Sequence, residues 1–160
     1  MYLKFYGLTD NPFSIAPNPN YLFMSNRHQQ ALAHLNYGLQ ESGGFVMLTG
    51  EVGTGKTTVS RKLMQELDDN TQAAVIINPT LSALELLATV CSELKIQYAG
   101  DGQSLKIYTD LILKKLAENH KNGINTVLII DEAQHLLPEV LEQLRLLTNL
   151  ETNREKLLKV

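Results

Sequence analysis

The sequence predicts an α/β protein: a parallel sheet flanked by helices, with a phosphate-binding loop at the end of one strand. Three observations carry that prediction. Gly50-Glu51-Val52-Gly53-Thr54-Gly55-Lys56-Thr57 fits the pattern G-x-x-x-x-G-K-[ST] at every fixed position. The apolar run Phe45-Val46-Met47-Leu48 before it suits a short buried strand, and Val59, Leu63 and Leu67 after it recur every fourth residue, as on one helix face. Far downstream, Val127-Leu128-Ile129-Ile130 ends abruptly in Asp131-Glu132, which places an acidic pair at the carboxyl end of a strand, where open α/β sheets bind ligands.

In chain order, residues 1–26 are punctuated by Asn11-Pro12, Ala16-Pro17 and Asn18-Pro19, which disfavour a regular helix. Tyr2, Phe5, Tyr6, Phe13, Tyr21 and Phe23 are interleaved with them, too many rings for a disordered tail. The segment is expected to be a tethered arm that packs its rings on the domain, walls an adenine pocket, or does both. Residues 27–160 form the core. Asn26–Gln40 reads as a helix with Ala31, Leu32, Leu35, Gly38 and Leu39 on one face, ended by Glu41-Ser42-Gly43-Gly44. After the glycine loop and its helix, Ala73-Ala74-Val75-Ile76-Ile77 is a strand closed by Asn78-Pro79. A helix is predicted over 80–94 with Leu84, Leu87, Ala88, Cys91 and Leu94 inward, then a loop at 99–102. A second helix over 104–119 has Ser104 as its N-cap and Leu105, Tyr108, Ile112 and Leu116 in register. Lys121-Asn122-Gly123 turns into the acidic strand, which is the third strand in sequence. The last helix is predicted over 134–150, with Pro138 in its first turn and Val140, Leu141, Leu144 and Leu147 buried. Leu157-Leu158-Lys159-Val160 reads as a fourth strand beginning, so the chain is expected to be a fragment.

A chain of 160 residues suffices for one domain with a sizeable core. A net charge of −3 argues against a protein that coats nucleic acid. The single cysteine, Cys91, falls in an apolar helical pattern and is expected in the core, a usage that suits a reducing compartment. The first residues lack the apolar stretch and cleavage site of a signal peptide, and no run is long enough to span a bilayer. His28, His34, His120 and His135 show no metal-ligand spacing, so surface or packing roles are the default.

The chemistry explains the residue types. A triphosphate needs many donors close together, and glycines let backbone N–H groups approach it while adopting the turn's positive φ. Gly50 to Gly55 would form the cradle, with Lys56, Thr57 and Thr58 opening a helix whose N–H groups face the anion. Lys56 is expected to reach the β- and γ-phosphates of ATP, and Thr57 to ligate Mg²⁺. Asp131 is expected to hold Mg²⁺ through a water, and Glu132 to polarise the attacking water. Taken alone, the acidic pair could instead cap the following helix. Beside the glycine loop, and with one strand between the two, that reading loses ground.

These residues resemble the AAA+ ATPases of the ExeA/GspA type, associated with bacterial general secretion and pilus assembly. The resemblance covers nearly the whole chain: Tyr6-Gly7-Leu8 with Pro12-Phe13, Pro17-Asn18-Pro19, Leu22-Phe23, His28, Ala31-Leu32, the loop through Thr58, Asn78-Pro79-Thr80, Asp131-Glu132-Ala133-Gln134, and residues 146–152. It implies an AAA+ type P-loop sheet, truncated in the fourth strand, with that strand lying between the P-loop strand and the acidic one. It implies a cytoplasmic ATPase, or one peripheral to the inner membrane. That ATPase would form a homo-oligomeric ring and work with inner-membrane secretion or pilus-assembly proteins, DNA not being the expected partner. Asn78 matches the position where related ATPases keep a polar residue that holds the catalytic glutamate inactive; read from its neighbours it is a turn residue before Pro79. The terminal-phosphate sensor, arginine finger, lid and any peptidoglycan-binding region would lie beyond Val160, so this piece alone is expected to hydrolyse ATP weakly. With the fourth strand incomplete, the expectation is that Asp131 sits apart from Thr57 or that the sheet, with two strand edges lacking a hydrogen-bond partner, is poorly ordered. The competing class is a DNA-linked ATPase, a transposition helper or initiator-like protein, and a third reading is a scaffold that only binds nucleotide.

Overall fold

Two parallel strands anchor the computed structural model, which describes residues 2–14, 18–40, 44–98, 104–149, 151 and 156–160. β1 (Thr71–Ile76) pairs with β2 (Asn125–Ile130), Thr71 opposite Asn125 and Ile76 opposite Ile130. This register puts Ala74, Ile76, Leu128 and Ile130 on one face, against the main core. Val127, on the other face, is buried too, as expected of a central parallel strand.

Residues 156–160 run alongside β2. Lys159 N–H donates to Thr126 O (3.1 Å) and Leu128 N–H to Lys159 O (2.8 Å). One residue on, Val160 N–H donates to Gly44 O and Val46 N–H to Val160 O, both at 2.8 Å. The spatial order is therefore β1, β2, the final segment, then the segment leading into the glycine loop, as the resemblance implied. Residues 45–48 do not become a regular strand, contrary to expectation. Among the described residues Val160 alone reaches them from that side, and one residue closes a single hydrogen-bonded ring where a ladder needs several.

Helices cover the sheet. α1 (Tyr2–Phe5) is a single turn ahead of the first proline. α2 (Asn26–Gln40) has the predicted bounds and packs on α3 (Lys56–Glu66), where Leu32, Val59 and Leu63 form a small core with Leu22, Met24 and Leu48. Gly38 is required here, because a Cβ at that position would lie 2.2 Å from Val46 Cγ2. Lys159 is buried, and its Nζ donates to the carbonyl of Leu39 at the C-terminal end of α2, a favourable place for a cation.

The main core joins α4 (Ala83–Glu93), α5 (Leu105–Lys121) and α6 (Pro138–Thr148) to the strands. α4 begins later than predicted because Ser82 and Glu85 make a reciprocal capping box. Ser104 caps α5 as expected. α6 starts at Pro138 rather than 134, since Leu137 before the proline is extended, and Ala133–His135 form a separate 3-10 turn. Leu84, Leu105 and Leu141 are exposed although the sequence pattern put them inward. On α4 the buried stripe is centred on Leu86, Leu87, Val90, Cys91 and Leu94, which leaves Leu84 at its margin. Burial pushes the Cys91 thiol up to about 11, as suits an inert core residue. Asn119, also buried, donates to Gln72 Oε1 (2.7 Å) and Thr126 Oγ1 (2.9 Å), and so pins α5 to both strands.

The arm does not pack its rings on the domain as expected. Phe5, Phe13, Tyr21 and Phe23 are exposed, and Leu22 and Met24 hold the arm to the domain instead. The arm is tied internally by Tyr2 to Asn11 (2.5 Å) and Tyr21 to Asp10 (2.6 Å). The predicted loop at 99–102 and the helix end at 41–43 lie outside the described residues.

Candidate nucleotide-binding site

The glycine loop leads directly into α3. Gly53 and Gly55 take φ of 81° and 85°, which side chains rarely adopt, and a Cβ on Gly50 would come 2.9 Å from Thr54 Oγ1. Val52 at the loop tip is fully exposed. Gly55 is the N-cap of α3 and supplies no side-chain cap. The first-turn N–H groups of α3, unlike those of α4 and α5, are thus left for another acceptor. Lys56 Nζ folds back onto Gly50 O and Glu51 O, each at 2.9 Å. Glu51 O also accepts from Thr54 Oγ1 at 2.8 Å. Uncapped N–H groups, permissive glycines and a lysine resting on carbonyls of its own loop fit a polyphosphate.

The acidic strand meets this loop. Asp131 N–H donates to Ile76 O at 2.9 Å, which fixes the end of β2 against β1. Thr57 Oγ1 donates to Asp131 Oδ2 at 2.8 Å, across 74 residues of sequence. The expected separation of these two groups does not occur, because Lys159 and Val160 already fill the gap between their segments. Glu132 N–H donates to Asp131 Oδ1 at 3.0 Å, so both carboxylate oxygens are engaged. A hydroxyl and a carboxylate side by side are oxygen ligands suited to Mg²⁺, which keeps several waters and takes few protein groups.

Glu132 itself has φ 53° and ψ 38°, a left-handed conformation that costs a non-glycine residue about 1–3 kcal/mol. Its Oε2 accepts from Gln134 Nε2 at 2.5 Å. Asn78 Oδ1 accepts from Thr80 N–H at 3.4 Å, the geometry of a turn residue before Pro79. Thr58 lies in the first turn of α3, half-buried.

Two residues at the site were not assigned to it from sequence. His28, given a default surface or packing role, lies against the loop. Its Nε2 is 3.1 Å from Thr54 O, and its Nδ1 is 3.1 Å from both Phe23 O and Ser25 Oγ. No spacing signal links His28 to Thr54; only the packing of α2 on α3 brings them together. Gln134 carried part of the resemblance, but its bond to Glu132 becomes visible only in the 3-10 turn.

The sequence profile of the AAA domain matches residues 39–160. The chain belongs to the AAA domain family. An AAA domain implies nucleotide binding, in keeping with the loop just described. This AAA domain is 60% identical to the General secretion pathway protein A of Aeromonas hydrophila over all of its length, which is 29% of that protein's length. Among solved structures it is similar to Cdc6p from Pyrobaculum aerophilum, with a TM-score of 0.64 and 23% identity over 87% of this chain and 37% of that one. At that identity the likeness is one of fold. Among the described residues, no helix is long and apolar enough to cross a membrane.

Proposed function

We propose that this AAA domain binds Mg²⁺-ATP and belongs to an ATPase that drives assembly of a bacterial envelope machine, a secretion apparatus or a type IV pilus. The observation that carries the ATPase reading is the 2.8 Å contact between Thr57 and Asp131, which joins the glycine loop to the acidic strand. The relationship to a general secretion pathway protein supports the cellular role. The finer form of the proposal is a pilus of the MSHA kind, on the sequence's resemblance to the pilus biogenesis protein MshM. The working protein would be a ring of identical subunits on the cytoplasmic side of the inner membrane, in contact with secretion or pilus-assembly proteins.

In this reading Lys56 leaves the carbonyls of Gly50 and Glu51 for the β- and γ-phosphates. Thr57, through its hydroxyl oxygen, and Asp131, through a water, would hold Mg²⁺. Bound Mg²⁺ supplies neutralisation of charge on the terminal phosphates. Glu132 accepts a proton from the water that attacks the γ-phosphate.

Glu132→Gln in the intact protein keeps the side-chain shape and removes the base. Mg²⁺-nucleotide affinity is expected to stay within a few-fold, while hydrolysis falls by at least ~10²-fold. Substantial residual turnover would assign activation of the water to another group. In the cell, loss of the gene is expected to impair surface pili or secretion and leave replication intact. Normal piliation and secretion, with a transposition or replication defect, would favour the DNA-linked class.

A further inference from the structure

We propose that Gln134 is a positioning residue for Glu132: its side-chain amide fixes one oxygen of the carboxylate and leaves the other for the attacking water. The inference rests on the ATPase reading above and adds a residue to it. Two independent observations meet at this turn. The first is the hydrogen bond itself, Gln134 Nε2 to Glu132 Oε2 at 2.5 Å. The second is the backbone of Glu132, held at φ 53° where a side chain is disfavoured.

In an uninterrupted strand, successive side chains alternate between faces. Asp131 is committed to Thr57, so a continued strand would send Glu132 to the opposite face. The left-handed residue ends that alternation, and the 3-10 turn Ala133–His135 follows at once. His135 N–H donates to Glu132 O at 3.0 Å and Leu136 N–H to Ala133 O at 3.1 Å, which closes the turn around Gln134. Glu132 and Gln134 are both exposed, so burial does not orient the carboxylate. The amide does.

A neutral donor suits this role. It occupies a lone pair without adding a charge beside the phosphates, and as an acceptor-only group the ionised carboxylate keeps its second oxygen open. A lysine or arginine in its place would form an ion pair that competes with proton uptake from water.

The test uses the intact protein and three variants, Gln134→Ala, Glu132→Ala and Glu132→Gln. In the nucleotide-free state, the Gln134 side-chain amide signals in a ¹H–¹⁵N spectrum are expected to shift in Glu132→Ala. For Gln134→Ala, the dissociation constant of a fluorescent Mg²⁺-ATP analogue and the melting temperature are expected to match the parent. Its single-turnover hydrolysis is expected to be about ten- to a hundredfold slower, the scale of a misplaced catalytic group. An unmoved Gln134 signal in Glu132→Ala, or parental hydrolysis by Gln134→Ala, would overturn the proposal. Glu132→Gln keeps the two failures apart: if it hydrolyses as fast as the parent, Glu132 is not the base, and both readings fall. If it is inactive while Gln134→Ala is not, only the positioning role falls.

Discussion

At the residue scale, the site is held together by the groups that would receive a ligand. Lys56 is the one cation in the loop from Gly50 to Thr57, and it rests on two loop carbonyls. Lys56→Ala is expected to weaken nucleotide binding at least tenfold, about 1.4 kcal/mol, in a fluorescent-analogue titration; equal affinities would remove the phosphate assignment. His28 acts from behind the loop. Its Nε2 lies 3.1 Å from Thr54 O and braces the loop against α2, so His28→Ala is expected to lower the binding-competent fraction. The loss of one such bond corresponds to about 1 kcal/mol, roughly fivefold in affinity. An unchanged dissociation constant would reduce His28 to a packing residue.

Among the elements, α2 shows how close packing overrides propensity. A glycine inside a helix is unfavourable by about 1 kcal/mol relative to alanine, yet Gly38 faces Val46 with no room for a methyl group. Gly38→Ala is expected to destabilise the domain by about 1–2 kcal/mol in urea unfolding, because overpacking exceeds the helix gain, and Val46→Ala in the same chain should restore most of it. A stabilised single variant would mean that the strand segment yields freely. The elements were unequally legible in the sequence. Periodicity located α2, α3, α5 and both strands, and the motifs located the loop and the acidic pair, since these signals are local. The phase of α4 was misread around Leu84 because Leu84 and Leu86 are alike in type and only the neighbouring helices decide which is covered. The helical pattern runs the 3-10 turn after β2 into α6, although Pro138 marks a boundary. The contact of His28 with Thr54 depends on tertiary placement, and that of Gln134 with Glu132 on the left-handed residue and 3-10 turn that the helical pattern hides.

In the molecule as a whole, two residues bridge the halves of the site. Lys159 bonds to β2, Val160 bonds to the segment entering the glycine loop, and the Lys159 side chain reaches α2. Deleting residues 158–160 is expected to raise hydrogen-exchange rates at the Val46 and Leu128 amides, whose acceptors would be gone. The Asn119 amide bonds to Gln72 and Thr126 would persist and keep β1 on β2. Protection retained at Val46 would show that the loop segment has another partner. The same bridge orders events in time. A ribosome delivers the glycine loop long before Val160, and domains fold as units as they emerge. Leu48 and α3 can settle on α2 early, and β1 can wait for β2. The phosphate cradle and its acidic partner, however, have no shared sheet until Lys159 and Val160 have left the exit tunnel. A nascent chain is therefore expected to bring Asp131 to Thr57, and so to gain its full affinity for Mg²⁺-nucleotide, only once these residues are free.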